Sequence, residues 1–117
     1  MSAASESAEW VARGRTHQWE GRAVDAMLCF RRASRADPRA ADPYFVLGEA
    51  LWQLGRVHDS LSAWREAARL APTFLAPRQA LAEASLATGD PTAARASAED
   101  VLALAPGNAR AEQFFAI

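Results

Sequence analysis

Apolar residues recur along this chain at intervals of three and four, which is the spacing of one face of an α-helix. In the middle of the chain this pattern runs through Leu47, Leu51 and Leu54 and stops at Gly55, a residue type that tolerates the positive φ found at helix C-termini. A second helical pattern follows over residues 57–70 and ends just before a proline. No stretch alternates apolar and polar residues with a sustained period of two, so the pattern predicts an all-α fold.

The same pattern, followed from end to end, predicts seven helices. Asp42 stands before Pro43 at the start of the third helix, and Asp90 stands before Pro91 at the start of the sixth. In both places a capping carboxylate would precede a proline at the first helical position. The predicted spans are residues 6–20, 22–36, 42–54, 57–70, 76–88, 91–104 and, as a partial helix, 109–117.

The helices occur in pairs that repeat every 34 residues. The columns that coincide at this offset are Gly21/Gly55/Gly89, Pro38/Pro72/Pro106, Ala26/Ser60/Ala94, Ala33/Ala67, Gly14/Gly48, Phe30/Trp64 and Trp10/Tyr44. Two helices can approach closely only where a small residue removes side-chain bulk, and a bulky neighbour such as Trp64 fills the space beside that contact. In the third copy, Ala82 replaces the glycine and Ala98 replaces the aromatic residue.

These columns resemble those of the tetratricopeptide repeat (TPR) family. The resemblance covers nearly the whole chain and implies a single TPR domain over residues 1–117. Its parts would be three repeats at 7–40, 41–74 and 75–108, followed by a partial capping helix at 109–117. The resemblance also implies a right-handed superhelical solenoid of three helix-turn-helix units, in which the first helix of each repeat lines a concave face that receives a peptide.

Carried over column by column, the resemblance implies a concave groove that is apolar and aromatic, with one basic and two acidic groups. Its residues would be Val11, Arg15, Gln18, Phe45, Glu49, Trp52, Gln79, Glu83 and Leu86, with Trp19 at the edge. Two interpretations of Phe45 and Trp52 stay open. They either anchor an apolar peptide or an amphipathic helix, or they support packing between neighbouring repeats.

One group of partners is disfavoured by the same comparison of columns. Family members that clamp the C-terminal carboxylate of heat-shock chaperones use Lys, Asn and Arg in particular columns. The residues in those columns here are Val11, Arg15, Val46, Ala76 and Ala80, of which only Arg15 could serve. The resemblance therefore argues against a carboxylate-clamp co-chaperone.

Arginines also recur on the second helices, as Arg31, Arg35, Arg65 and Arg69. An anionic partner is one interpretation of this basic ladder. However, cations near helix C-termini complement the helix dipole, and no aromatic residues interleave with the arginines as single-stranded nucleic acid would require. The preferred interpretation is a solvated convex face, and the sequence predicts no nucleic acid partner.

Composition sets outer bounds on the class of protein. The net charge of −1 gives no global attraction to nucleic acid or to an anionic membrane, and Cys29 is the only cysteine, so no intrachain disulfide can form. The first residues lack the basic and apolar regions of a secretory signal peptide, and no apolar run approaches the roughly 20 residues of a membrane span. The sequence therefore predicts a soluble, cytoplasmic chain with no membrane partner.

Residue patterns that would indicate catalysis are missing from the sequence. His17 and His58 are far apart, no cluster has the spacing of metal ligands, and no glycine-rich phosphate loop occurs. The helical setting of Cys29 favours a packing role. Glu49 and Glu83 could approach each other across adjacent groove helices, where a pair of solvated acids is the preferred interpretation. We expect no enzyme activity, no cofactor and no metal.

The leading functional prediction is a non-catalytic interaction module, a scaffold or adaptor that binds a peptide or a partner helix in the groove. Two alternatives stay open. Exposed apolar surface on the third repeat and at Phe114 and Phe115 could pair two copies into a homo-oligomer. The chain could also be a bacterial secretion-type chaperone that holds an apolar client segment in the same groove.

Overall fold

A computed structural model describes residues 2–113 of the chain, and within that range every regular element is an α-helix. The fold is all-α, as the sequence predicts, although the predicted span 109–117 can be followed only to Gln113. The helices are α1 (Ala3–Trp19), α2 (Ala23–Ala36), α3 (Ala41–Gln53), α4 (Val57–Leu70), α5 (Leu75–Ala87), α6 (Pro91–Leu104) and α7 (Ala109–Gln113).

Consecutive helices pair into three hairpins, α1–α2, α3–α4 and α5–α6. Each hairpin then packs against the next, through α2 on α3 and α4 on α5, and α7 packs against α6. The result is an elongated helical solenoid that measures 47 × 27 × 21 Å along its principal axes. The main apolar core runs through α2, α3 and α4, where Phe30, Val46 and Ala50 are inaccessible to solvent.

Glycine and an aromatic ring meet inside each of the first two hairpins. A Cβ atom added to Gly14 would overlap the ring of Phe30, and one added to Gly48 would overlap the indole of Trp64. Beside the second contact, the buried hydroxyl of Ser60 donates a 2.8 Å hydrogen bond to the carbonyl oxygen of Gly48. The small residues therefore let the helices approach, and the rings fill the remaining space.

Helix α3 ends in a Schellman motif centred on Gly55. This glycine has φ 76°, its N–H donates to the carbonyl of Trp52, and the N–H of Arg56 donates to the carbonyl of Leu51. These two hydrogen bonds satisfy carbonyl groups that the helix itself leaves without partners. The stop signal that the sequence predicts at this position is confirmed.

The two predicted N-caps have different outcomes. The carboxylate of Asp90 accepts a 3.0 Å hydrogen bond from the N–H of Ala93, with Pro91 directly after it, so the cap of α6 is confirmed. The predicted cap at Asp42 is wrong, because α3 begins at Ala41 and makes no side-chain cap. The first-turn N–H groups have no acceptor within the helix, so a proline is tolerated throughout that turn and does not mark its first residue.

Candidate functional site: a groove along α3, α5 and α7

Five of the residues that the sequence assigns to the groove line one cleft of about 490 Å³ between α3 and α5. We call it the central cleft. Its α3 wall carries Phe45, Glu49 and Trp52, and its α5 wall carries Gln79 and Glu83. The three α3 positions follow one another at intervals of four and three, so they share a single helix face.

A second cleft, of about 520 Å³, lies beside the first between α5, α6 and α7. We call it the terminal cleft. Leu86, the remaining α5 residue of the predicted groove, lies here and is about half exposed. Glu83 lines both clefts and therefore stands between them.

The four predicted groove residues on α1 do not line these two clefts. Val11 packs against the main apolar core, and Gln18 is partly buried. Arg15 is exposed but lies near enough to Glu49 to act on its charge. Trp19 is 91% exposed, the most exposed large apolar side chain among the described residues.

Phe45 and Trp52 also contact other aromatic residues. Phe45 lies edge-on to Phe74, with 5.4 Å between ring centroids, and Trp52 lies 5.9 Å from Trp64 at a tilt of 36°. The Trp64 indole N–H donates a 3.1 Å hydrogen bond to the carbonyl oxygen of Phe45. Each ring is therefore partly a packing residue and partly a cleft wall, so the two interpretations left open by the sequence are not exclusive.

The two groove carboxylates have different surroundings. Glu83 forms a 2.8 Å ion pair with Arg110 of α7. Glu49 is half-buried, and burial raises the pKa of its carboxyl group; Arg15 partly offsets this and Asp42 adds to it. Among the described residues, the carboxyl group of Glu49 forms no hydrogen bond and no ion pair within 4 Å.

Arg110 was missed by sequence reasoning, which treated residues 109–117 only as a cap. It lines both clefts, and Arg95 lines the terminal cleft, so the charged groups near the groove number two acids and three arginines rather than two acids and one arginine. A signal was available in the 34-residue period. Arg110 falls in the column of Asp42 and Ala76, which is the first turn of each groove helix.

The other candidate chemistry of the sequence lies outside the groove. Cys29 is buried, as expected from its helical setting. Of the arginine ladder, Arg69 is paired with Glu66 on its own helix. Within residues 2–113, no three His, Cys, Asp or Glu side chains are grouped so that they could hold a metal ion. None of the described helices combines the length and the apolar character needed to cross a membrane.

Comparisons with known proteins agree with this architecture. Residues 41–74 match the family model of the tetratricopeptide repeat. A search of curated proteins gave no match. Among solved structures, the first TPR of Spaghetti (RPAP3), bound to the HSP90 peptide SRMEEVD, is similar with a TM-score of 0.87 at 20% identity, over 94% of this chain and 87% of that one.

Two further structures show the same likeness. The second TPR domain of human RPAP3, in complex with the HSP70 peptide SGPTIEEVD, has a TM-score of 0.83 at 22% identity, over 97% of this chain and 92% of that one. MamA has a TM-score of 0.85 at 21% identity, over 92% of this chain and 63% of that one. At these identities the likeness concerns the fold.

The stacked hairpins and their 34-residue period define the chain as a helical-repeat solenoid. Within that class, residues 41–74 match the model of the tetratricopeptide repeat, and the described chain as a whole has the TPR fold.

Proposed function

We propose that the chain is a non-catalytic interaction module that binds a peptide or a partner helix in the groove along α3, α5 and α7. The observation that carries this proposal is the central cleft, in which partly exposed aromatic side chains, Phe45 and Trp52, stand beside charged groups. Aromatic side chains that are only partly buried within their own protein are typical anchors for a binding partner. Cytoplasmic location and a scaffold or adaptor role stay predictions.

Similar folds support a peptide as the partner, because both RPAP3 domains were solved with one bound. Their peptides end in the acidic sequence EEVD. Of the columns in which the clamping members of the family carry polar or basic residues, only one holds such a residue here, Arg15; the others hold Val11, Val46, Ala76 and Ala80. The cleft is also lined by two acids, Glu49 and Glu83. We therefore propose that the chain binds a peptide, as these domains do, but not a peptide that ends in an acidic EEVD sequence.

The test is a selection of peptides from a random dodecapeptide display library, with the chain immobilised. We expect the wild type to enrich peptides, and the double variant Phe45→Ala/Trp52→Ala to enrich none. Because both rings also pack on Phe74 and Trp64, circular dichroism and urea denaturation must first establish that the double variant is folded.

Leu28→Ala is the matched control, since Leu28 is about half exposed on α2 and does not line either cleft. It should enrich the same peptides as the wild type. If the double variant unfolds, the two rings are core residues and the groove loses its proposed anchors. If the folded double variant retains the peptides, they bind elsewhere and the proposal fails.

Self-assembly is a second candidate, and one observation favours it. Leu86 and Leu104, both on the third hairpin, remain 49% and 39% exposed. The predicted contribution of Phe114 and Phe115 lies outside the described residues. Sedimentation equilibrium over a hundredfold range of concentration tests this candidate, and a monomer throughout that range excludes it. A chaperone for an apolar client would use the same groove, and differs from the leading proposal only in the client.

A further inference from the structure

Not all of the charged groups that line the central cleft have a partner of opposite charge. Glu83 and Arg110 form an ion pair at 2.8 Å, whereas Glu49 has no hydrogen bond or ion pair within 4 Å among the described residues. Arg15 acts on Glu49 only through space. A carboxylate that is half removed from water without a partner lowers stability, and a cation placed beside it would recover the lost interaction.

The side chains next to Glu49 suit a cation. Phe45 precedes it by four residues and Trp52 follows it by three, so the carboxylate lies between two aromatic side chains on one face of α3. All three residues line the central cleft. The faces of aromatic rings attract cations, most strongly for tryptophan, and the same rings accept the apolar stem of a long basic side chain. Across the cleft, the amide of Gln79 adds an uncharged hydrogen-bonding group.

We propose that the groove recognises a peptide segment carrying an arginine or lysine next to an apolar residue, with the basic side chain at Glu49 and the apolar one against Phe45 and Trp52. This inference rests on the proposed function and names the chemistry of its partner. An acidic segment would instead bring a like charge to Glu49, and Arg110, the cation that lines the central cleft, is already engaged by Glu83.

The dodecapeptide selection tests this inference when it is repeated with two single variants. Wild-type protein should enrich peptides that share a basic residue beside an apolar one. Glu49→Gln, which keeps the shape and removes the charge, should still enrich apolar residues but lose the basic position. Glu99→Gln is the matched control from α6, because Glu99 is exposed and lines neither cleft, and it should keep the basic position.

A second measurement does not depend on any protein variant. One enriched peptide is resynthesised with citrulline in place of arginine, or norleucine in place of lysine, so that the aliphatic stem is kept and the charge is lost. The neutral peptide should bind wild type about tenfold more weakly, which is the size expected for one hydrogen bond to a partly buried charge. Against Glu49→Gln, the charged and neutral peptides should differ by less than about twofold.

The outcomes separate this inference from the function on which it rests. Enriched peptides that are apolar or acidic, with no shared basic position, would overturn the inference and leave the peptide-binding proposal standing. A basic position that is kept with Glu49→Gln would also overturn it, as would equal binding of the charged and neutral peptides. If the wild type enriches nothing, the proposed function fails and the inference fails with it.

Discussion

The first two hairpins and the third place side chains of very different volume at the same point of contact. In the second hairpin Gly48 faces Trp64, and the ring occupies the space that a Cβ atom would need. In the third hairpin the corresponding residues are Ala82 and Ala98, which are 2% and 0% exposed. Both arrangements exclude water, but only the first buries a large apolar side chain, so the third hairpin should contribute less to stability.

A compensating residue stands one turn further along α6. Val101 occupies the column of Ala33 and Ala67, is 1% exposed, and forms a small apolar cluster with Ala98 and Ala111 of α7. The third hairpin thus fills its space with a branched side chain and the following helix rather than with a ring. The difference also bears on the groove, because Trp64 contacts Trp52 and lines the central cleft itself.

The edge of the solenoid shows a similar exchange of chemistry. In the first hairpin the guanidinium groups of Arg13 and Arg32 lie 4.8 and 4.9 Å from the ring centroid of Trp10. Two repeats later the columns of Trp10 and Arg32 hold Arg78 and Asp100, which form an ion pair at 3.2 Å. A cation–π contact and an ion pair therefore occupy the same position between paired helices. Equivalent positions of the repeat thus form a contact in both hairpins, but the chemical type of that contact differs.

The largest effect should come from removing the ring that the third hairpin lacks. Trp64→Ala should lower the free energy of unfolding by about 3–5 kcal/mol, since it opens a large cavity and deprives the second hairpin of its main side chain. The matched change, Ala98→Gly, should lower it by only about 1 kcal/mol. Urea denaturation measures both, and similar losses would mean that the two hairpins are equally dependent on this position.

A smaller effect is expected from filling the glycine position. Gly48→Ala should lower the free energy of unfolding by about 1–3 kcal/mol, because the new methyl group overlaps the Trp64 indole. The double variant Gly48→Ala/Trp64→Ala reproduces the alanine pair of the third hairpin. Its loss should be clearly smaller than the sum of the two single losses. Additive losses in the denaturation experiment would show that glycine and ring do not act as one unit.

Much of this fold could be predicted from the sequence because its determinants are local or periodic. Gly14, Gly48 and their rings recur at a fixed offset, and a glycine opposite a ring requires close helices wherever it occurs. The start of α3 could not be fixed in the same way. Pro43 is compatible with several positions of the first turn, so its place in the sequence does not identify the capping residue.

Only the part of the site that depends on the spacing of residues along one helix could be predicted from the sequence. The spacing of Phe45, Glu49 and Trp52 along α3 places them together whatever the neighbours are. The ion pair between Arg110 and Glu83 depends on how α7 packs, and five described residues of helix carry too little periodicity to predict that. Whether these side chains bind a partner stays a prediction.

Capping distinguishes the third hairpin from the second in a further, smaller way. Asp90→Ala should lower the free energy of unfolding by about 1 kcal/mol, because the N–H of Ala93 loses its acceptor. Asp42→Ala should change it by less than about 0.5 kcal/mol, since Asp42 caps nothing. Thermal unfolding of the two variants, followed by circular dichroism, measures this contrast. Equal losses would contradict the assignment of the start of α3.

The smallest effect concerns charge, and here two carboxyl groups of the second hairpin should respond to pH in opposite directions. Burial raises the pKa of Glu49 above its ordinary value of 4.5, whereas the hydrogen bond from Arg69 lowers the pKa of Glu66. The folded state therefore favours the neutral form of Glu49. Its contribution to stability is present below the unfolded pKa and is lost as pH rises through the folded pKa.

Glu49→Gln should accordingly raise Tm at neutral pH by a small amount, on the order of 2 °C because solvent screens a half-exposed group, and the gain should vanish below about pH 4.5. Glu66→Gln should instead lower Tm at neutral pH, and that loss should vanish as the carboxyl protonates in acid. Measuring each variant against wild type at the same pH removes the acid sensitivity of the rest of the chain. A drop in Tm for Glu49→Gln at neutral pH would mean that Arg15 already compensates the negative charge of Glu49. A cation from a partner would then gain little by binding beside Glu49.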